Sequence, residues 1–226
     1  MTTLNIIIPA AGTSNRFKST IPKQFHVIGG KTILEHTLMA FASIAYQECL
    51  IAVNNESRDK VEAILSRLPM SARVVMGGDT RAKSVRQAFF EAKESDITLI
   101  HDAARMCIST ALIDRVIQAA KQYDAVIPTV PVTDTIKQIE EDRVIHTLTR
   151  ENLVAVQTPQ AFNSQVLKEA YETSFDNTIT DEASLIEKAG KPVQIIKGEC
   201  ENIKVTYPMD LEYVKACIHQ NPAILK

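Results

Sequence analysis

An α/β fold built on a mostly parallel sheet is predicted for this chain of 226 residues. Five short apolar runs rich in Ile and Val are typical of strands buried on both faces, and they cover residues 4–9, 49–53, 73–76, 97–101 and 125–132. Helical patterns lie between these runs. With 45% hydrophobic and 23% charged residues, the composition is that of a globular protein, so we expect one domain over residues 1–226.

Two of the intervening helices are predicted from apolar residues at helical spacing. One stripe consists of Val85, Ala88, Phe89 and Ala92, and the other consists of Leu112, Ile113, Val116, Ile117 and Ala120. Alternating strands and helices favour right-handed crossovers between parallel strands. Because such sheets bind ligands at the carboxyl ends of their strands, we expect functional residues in the loops that follow those strands.

The alternation is interrupted at residues 133–150. Ile, Val and Leu residues there flank an acidic centre, Glu140-Glu141-Asp142, and this pattern predicts two strands of a projecting β-hairpin. A hairpin by itself buries little apolar surface and is marginally stable in water. We therefore expect this arm, residues 133–150, to pack on a partner subunit and to serve as a dimerisation arm.

Regular elements return after the arm. They are a helix from about Asn163, a helix within residues 180–190 with Gly190 as its C′ residue, strands near Val193 and Ile203, and a final helix with Pro208 at N1. The sequence shows no internal repeat and no low-complexity tract.

Charge and cysteine content argue against several classes of protein. The net charge of -2 gives no reason to expect a nucleic-acid or membrane-surface binder. The four cysteines are scattered without a CxxC spacing, which favours reduced thiols over a disulfide framework or a zinc site. No basic leader precedes an apolar segment, and no run approaches the roughly 18 apolar residues of a transmembrane helix. We expect a cytoplasmic protein.

The segment "PAAGTSNRFKSTIPKQF", residues 9–25, follows the first predicted strand and combines small residues with cations. Small side chains allow backbone N–H groups to approach an anion closely, and Gly12 tolerates unusual backbone angles. Arg16 and Lys23 are separated by a stretch that spans up to roughly 23 Å when extended, enough to enclose a triphosphate. The segment matches neither the Walker P-loop nor the dinucleotide GxGxxG pattern. A solvated basic turn is the alternative interpretation.

Seven motifs in order resemble those of the 2-C-methyl-D-erythritol 4-phosphate cytidylyltransferases. After the segment above come "GGDTRAKSV", "HDAAR", "PVTDTIK", "TPQAF", "ITDEASLIEKAG" and "NIKVTYP", which together span nearly the whole chain. The resemblance implies a Rossmann-like nucleotidyltransferase fold, a homodimer, and two substrates, CTP and 2-C-methyl-D-erythritol 4-phosphate. The phosphate of the second substrate would attack the α-phosphorus of CTP and expel pyrophosphate, giving 4-diphosphocytidyl-2-C-methyl-D-erythritol for non-mevalonate isoprenoid biosynthesis.

The resemblance also implies roles for individual residues. Four are predicted to be catalytic, with Arg16 and Lys23 on the triphosphate and Arg150 and Lys204 aiming the methylerythritol phosphate. The residues predicted to contact cytosine and ribose are Ala10, Ala11, Gly12, Gly78, Asp79 and Ser84. The residues predicted to lie near the second substrate are Thr135, Thr158 and Thr180. The chain departs from the family pattern at Ser14 and Met106, where glycine and proline are usual.

Asp102 closes the predicted strand "TLIHD", which places its carboxylate at the ligand edge of the sheet. There it could help to bind Mg²⁺ on the triphosphate and contact the incoming substrate. Arg105 is expected either to bind phosphate or to pair with Asp102. His101 points to the opposite face of the strand, so we expect a buried histidine there rather than a general acid or base.

Simpler interpretations remain for several of these residues. Gly78-Asp79 fits an ordinary turn before a helix, Arg150 a surface charge, and Lys204 a charge that protects an edge strand. Thr158 and Thr180 fit a turn residue and a helix N-cap, respectively.

Two rival functions also remain. One is a cytidylyltransferase for another polyol phosphate such as ribitol 5-phosphate, whose first motif begins LAGG rather than PAAG. The other is a catalytically silent nucleotide-binding module, which the presence of both Arg16 and Lys23 disfavours.

Overall fold

The computed structural model describes residues 2–12, 17 and 19–220, and their strands form one large sheet and two small ones. The strands are β1 (Leu4–Pro9), β2 (Val27–Ile28), β3 (Lys31–Thr32), β4 (Glu48–Val53), β5 (Arg73–Met76), β6 (Ile97–Ile100), β7 (Ala125–Pro131), β8 (Lys137–Glu140), β9 (Arg143–Thr147), β10 (Val154–Val156), β11 (Gln160–Asn163) and β12 (Gln194–Lys197). The helices are α1 (Ile33–Met39), α2 (Arg58–Leu65), α3 (Arg81–Glu91), α4 (Thr110–Ala120), α5 (Ser164–Thr173), α6 (Glu182–Lys188) and α7 (Met209–Gln220).

The large sheet has the strand order β10-β7-β11-β6-β1-β4-β5, with β12 also paired to β7. β1 pairs in parallel with β4 and β6, β4 with β5, and β12 with β7. β11 runs antiparallel to β6 and β7, and β10 runs antiparallel to β7. The predicted mostly parallel α/β architecture is confirmed, and each of the five predicted apolar runs contains a strand of this sheet.

The hydrophobic core has a layer on each face of the sheet, and β1 contributes to both. Ile6 and Ile8 belong to one cluster of buried side chains, whereas Ile7 belongs to the other. On β6, Leu99 and Ile100 divide between the clusters in the same way. Burial of one such side chain stabilises a fold by about 1.5–3 kcal/mol. Helices cover both faces, and these strands therefore need apolar residues on both faces.

Two helix N-caps lie close to the ligand edge of the sheet. Thr80 caps α3, because its Oγ1 accepts a hydrogen bond of 3.1 Å from the backbone N–H of Lys83. Asp181 caps α6 by accepting a bond of 3.0 Å from the N–H of Ser184. Caps of this kind are worth about 1 kcal/mol each and fix where the first helical residue lies.

The predicted hairpin arm is confirmed as the antiparallel pair β8 and β9. Glu141 adopts a positive φ of 49° at the turn between the strands. The side chains of Ile139, Val144 and Ile145 are 63%, 60% and 52% exposed. These apolar side chains of the arm are therefore exposed.

Two predictions for the C-terminal part are wrong. The predicted strand near Ile203 is absent, and the segment 202–206 is held by separate bonds, including Val205 N to Ala104 O at 2.9 Å. Pro208 directly precedes α7 instead of being its first residue. The carboxylate of Asp210 accepts hydrogen bonds from the N–H groups of Thr206 and Tyr207, which orders the chain before the helix.

Gly190 follows α6 with a φ of +73°, as predicted for a C′ glycine. Asn163 is the N-cap of α5, which begins where a helix was predicted. Within the described ranges, no helix combines the length and the hydrophobicity that crossing a membrane requires.

Candidate active site at the carboxyl edge of the sheet

A cavity of about 460 Å³ opens where β1, β4, β5 and β6 end. This position is the one predicted for a ligand site, and the volume is typical of small-molecule pockets. The described residues that line the cavity are Pro9, Ala10, Ala11, Gly12, Phe17, Lys23, Gln24, Asn54, Gly78, Asp79, Thr80, Arg81, Ser84, Asp102, Ala103, Ala104, Lys204 and Thr206. Arg16 and Ser14 lie outside the described residues.

The loop after β1 is held by side-chain amides. Gln24 Nε2 donates hydrogen bonds of 2.9 Å to Ala10 O and 3.4 Å to Gly12 O. Asn54 Nδ2 donates to Ala11 O at 3.2 Å. These amides satisfy the carbonyl groups of residues 10–12 and hold that part of the loop along the cavity wall. Neither Gln24 nor Asn54 was singled out from the sequence.

The loop after β5 packs so closely against the first loop and α3 that it requires glycine. A Cβ atom on Gly77 would lie 2.9 Å from Ala11 Cβ, and one on Gly78 would lie 2.6 Å from Lys83 Cβ. Ser84 Oγ lies 3.1 Å from Gly78 O and 2.8 Å from Thr80 O. Gly78 thus belongs to the turn before α3, as the simpler interpretation has it, and it also lines the cavity.

Asp102 stands among three cations. Its Oδ1 lies 2.8 Å from Arg81 Nε, and its Oδ2 lies 2.8 Å from Lys204 Nζ and 3.7 Å from Arg105 Nε. Burial alone would raise the pKa of Asp102, but the charges of Arg81, Lys204 and Arg105 hold that pKa well below its usual range. The carboxylate is therefore ionised at any pH at which the protein would work.

Arg81 and Glu182 form the main part of the site that sequence reasoning missed. Arg81 is the first residue of α3, and its Nη1 lies 2.8 Å from Oε2 of Glu182, the fully buried first residue of α6. Burial by itself would lower the pKa of Arg81, but Glu182 and Asp102 outweigh it and raise this pKa. Both residues occur in quoted motifs, yet no local pattern in the sequence identifies them as partners.

His101 is buried beneath Asp102 and does not line the cavity. Its ring packs 5.2 Å from the ring of Phe41, measured between centroids, and its two nitrogens lie 3.1 Å from Thr158 Oγ1 and 3.1 Å from Arg105 O. Burial lowers the pKa of His101 to about 4. The prediction of a buried histidine at this position is confirmed.

Thr158 and Arg105 support Asp102 from behind the cavity. Thr158 Oγ1 accepts a hydrogen bond of 3.0 Å from the backbone N–H of Asp102. Arg105 lies beside the Asp102 carboxylate and donates to Asn202 O at 2.8 Å. Of the two expectations for Arg105, pairing with Asp102 is the one observed. Met106 is fully buried, so it fills a hydrophobic position where the family usually has proline.

The two described lysines of the predicted catalytic set meet at the same segment. Lys204 reaches Asp102, while Lys23 Nζ donates a hydrogen bond of 2.7 Å to the carbonyl of the next residue, Val205. Lys204 therefore lies in a loop at the cavity and does not protect an edge strand, because there is no strand at this position.

Three predicted residues lie away from this cavity. Arg150 is exposed and donates a hydrogen bond of 2.9 Å to Thr133 O at the base of the arm, and Thr135 is exposed on the arm itself. Thr180 is exposed before α6, where the N-cap is Asp181, so the N-cap interpretation of Thr180 is wrong. None of the three lines the cavity.

Known proteins resemble this chain over nearly its whole length. A sequence model of the family described as 2-C-methyl-D-erythritol 4-phosphate cytidylyltransferase matches residues 4–220. The protein of that name from Bacillus mycoides (strain KBAB4) is 38% identical over 219 residues, covering 95% of this chain and 97% of the relative. The one from Bacillus pumilus (strain SAFR-032) is 40% identical over 223 residues, covering 93% and 95%.

Solved structures agree with this result. The 2-C-methyl-D-erythritol 4-phosphate cytidylyltransferase of Thermus thermophilus aligns with a TM-score of 0.78 and 32% identity, covering 96% of this chain and 99% of that structure. The 4-diphosphocytidyl-2C-methyl-D-erythritol synthase of Anaerococcus prevotii DSM 20548 aligns with a TM-score of 0.83 and 28% identity, with the same coverage. The chain belongs to the 2-C-methyl-D-erythritol 4-phosphate cytidylyltransferase family.

Proposed function

We propose that the cavity binds CTP and 2-C-methyl-D-erythritol 4-phosphate and is the site at which this chain joins them. The products are 4-diphosphocytidyl-2-C-methyl-D-erythritol and pyrophosphate, in isoprenoid biosynthesis. The observation that carries the assignment is that Lys23, Lys204 and Asp102 come together at the carboxyl edge of the sheet, beside the loops of the first two motifs. Cations and a backbone-lined wall are what two phosphate-bearing substrates require.

In the reaction, a phosphate oxygen of methylerythritol phosphate forms a bond to the α-phosphorus of CTP while the bond to pyrophosphate breaks. No covalent intermediate with the enzyme is needed. The described lining residues include neither Cys nor His, and the Ser84 hydroxyl contacts two backbone carbonyls. Positioning and fixed charge therefore supply the catalysis, as is general for phosphoryl transfer.

Lys23 is assigned to the triphosphate, together with Arg16 from the same loop. The hydrogen bond from Lys23 Nζ to Val205 O supports this role, because it holds the ammonium group at the cavity wall before a substrate arrives. A cation that is already in place loses little energy in reorganisation when negative charge develops in the transition state. The backbone at Ala10, Ala11, Gly12 and Gly78, with Asp79 and Ser84, is assigned to the nucleoside.

Lys204 is assigned to the phosphate of the second substrate. Its side chain is 35% exposed, and its ammonium group contacts Asp102 on the cavity side. A phosphomonoester carries a charge of about -1.5 to -2 near neutral pH, so it competes well with one carboxylate for a lysine. Asp102 keeps Arg81 and Arg105 as neighbours when Lys204 turns to the substrate.

Mg²⁺ is proposed as the cofactor, held by Asp102 together with the phosphates of CTP. Among the described residues, no group of three or more His, Cys, Asp or Glu side chains could hold a metal ion. The ionised carboxylate of Asp102 fits the usual mode for Mg²⁺, which is bound through one or two carboxylates and substrate phosphates. When bound, Mg²⁺ would neutralise charge on the triphosphate. Removal of the metal with a chelator should abolish turnover, and added Mg²⁺ should restore it.

A homodimer formed through the arm is part of the proposal. The exposed Ile139, Val144 and Ile145 require a covering surface, and a second subunit can provide one. Arg150 and Thr135, which do not line the cavity of their own subunit, would then complete the cavity of the partner. Sedimentation equilibrium should give a dimer mass, and polar substitutions at these three apolar positions should shift it towards the monomer.

A cytoplasmic location is also proposed. All four cysteines are unpaired, two of them buried. This state fits a compartment in which thiols are kept reduced. Cell fractionation would test this location.

The decisive experiment is a turnover assay with CTP, methylerythritol phosphate and Mg²⁺ that follows pyrophosphate release. Ribitol 5-phosphate serves as the control acceptor. We expect turnover with methylerythritol phosphate and little with the control. Preference for ribitol 5-phosphate would show that the chain is a cytidylyltransferase for that substrate instead. CTP binding without turnover would indicate a catalytically silent nucleotide-binding module.

A further inference from the structure

Arg81 connects the cavity to a carboxylate in the protein interior. Its Nε contacts Asp102 Oδ1 and its Nη1 contacts Glu182 Oε2, both at 2.8 Å. We propose that Arg81 and Glu182 are positioning residues, with Glu182 holding Arg81 on Asp102 so that the substrates cannot draw it away. The inference rests on the proposed function, because it explains how Asp102 keeps its place when polyanions enter.

The two residues are well placed to hold each other. Arg81 and Glu182 are the first residues of α3 and α6, and the caps Thr80 and Asp181 fix the start of each helix. Glu182 is also bonded on its far side, where Tyr171 Oη lies 3.3 Å from Oε1. The guanidinium group of Arg81 therefore connects the N-terminus of α3 to that of α6, and it is held by Asp102 at Nε and by Glu182 at Nη1.

The burial of Glu182 is costly for the fold. Burial raises the pKa of Glu182 above its ordinary value although Arg81 opposes this, so the ionised carboxylate costs more free energy at that position than it does in water. A buried ion pair can often be replaced by apolar residues without loss of stability. A carboxylate at this position is better explained by what it does to Arg81 than by any gain in packing.

The difference between Arg81 and Lys204 shows what this arrangement achieves. Both contact Asp102 at 2.8 Å, but Arg81 has a second carboxylate and Lys204 is the more exposed side chain. When phosphate groups enter, Lys204 can exchange its partner, whereas Arg81 would have to leave two carboxylates at once. Arg81 thus holds Asp102 in place while Lys204 binds the substrate phosphate.

A double-mutant cycle on kcat/KM tests the proposal, with Glu182→Gln and Asp102→Asn as the two changes. Glu182→Gln should lower kcat/KM for methylerythritol phosphate about tenfold, because a charge-assisted hydrogen bond is roughly twice as strong as a neutral one. If Glu182 acts through Asp102, the double variant should be within about twofold of Asp102→Asn alone. A further tenfold loss in the double variant would overturn the proposal.

The chain offers a matched control in Glu35→Gln. Glu35 is a buried carboxylate 2.8 Å from Arg67 Nε, outside the cavity, and glutamine can still serve its capping box with Thr32. This variant should leave kcat/KM within about twofold of wild type and combine additively with Asp102→Asn. If Glu35→Gln lowers activity as much as Glu182→Gln, the effect is general destabilisation and the positioning role is wrong.

Two further measurements keep the outcome clear. If Glu182→Gln does not fold, Arg81→Lys takes its place in the cycle. A lysine ammonium group cannot reproduce the contacts that the guanidinium group makes with both Asp102 and Glu182. A crystal structure of the folded variant gives a readout without turnover, and an unchanged contact between Arg81 and Asp102 would overturn the proposal. Wild-type enzyme that fails with both substrates would instead contradict the proposed function.

Discussion

Lys204 Nζ and Asp102 Oδ2 lie 2.8 Å apart at the mouth of the cavity, although they come from two different motifs of the chain. The pair places a cation and an ionised carboxylate beside the backbone of the first loop. Lys204 is also the residue before Val205, whose carbonyl holds Lys23. Three functional side chains are thus connected through one short segment.

Lys23→Ala should lower kcat by about 10²- to 10³-fold, because the variant loses a preformed charge on the reacting triphosphate. We expect the same of Arg16→Ala. Steady-state pyrophosphate release at saturating substrates measures the effect. Lys121→Ala, at the end of α4 and outside the cavity, is the control and should behave as wild type. Near-normal kcat in Lys23→Ala would rule out its catalytic role.

Lys204→Ala should weaken the use of methylerythritol phosphate while CTP binding changes little, because its proposed partner is the phosphate of the second substrate. Asp102 retains Arg81 in this variant, so the cavity should keep its shape. Calorimetry with CTP and kinetics with varied methylerythritol phosphate separate the two effects. An equal loss of affinity for CTP would contradict the assignment.

Mixing two inactive variants tests whether Arg150 acts across the dimer. If Arg150 of one subunit serves the site that holds Lys23 of the other, a mixed dimer of Arg150→Ala and Lys23→Ala contains one intact site. With random exchange of subunits, about a quarter of wild-type activity should return, given twofold symmetry. A mixture that stays inactive under exchange conditions would place Arg150 in its own subunit's site.

The free energy of unfolding should fall as the pH is lowered from about 6.5 to about 4, because over this range His101 stays neutral in the folded protein but takes up a proton in the unfolded chain. Its pKa is about 4 in the folded protein and about 6.5 when unfolded, so the unfolded chain binds a proton first. The contribution of His101 to the free energy of unfolding is complete above about pH 6.5 and is lost towards pH 4. The loss between pH 7 and pH 5 amounts to about 2 kcal/mol.

Urea unfolding at these two pH values measures the effect. His101→Asn should reduce the pH dependence by that amount, while buried His36, whose pKa is also lowered by burial, continues to contribute. An unchanged pH dependence in the variant would show that His101 is not the responsible group.

Local patterns in the sequence predicted most of the strands and helices of the fold. Strands such as β1 and β6 are buried on both faces, so their apolar runs are visible in the sequence without knowledge of their neighbours. The motifs likewise placed Lys23 and Asp102 near the cavity, because loops after parallel strands meet at one edge. Lys204 was assigned to the substrate by the family resemblance alone. The strands β10 and β11 were not predicted, since they are short and β11 begins with the buried polar residue Gln160.

The sequence by itself determined the alternation of strands and helices, the exposed arm and the family to which the chain belongs. Only the tertiary structure decided that Arg81 joins Asp102 and Glu182, which lie 21 and 101 positions away, and that Lys204 stands in a loop. The physical reason is the distance along the sequence between the residues that each feature depends on. Burial of a strand depends on the residues of that strand, whereas an ion pair depends on which distant loops the packed sheet brings within about 3 Å.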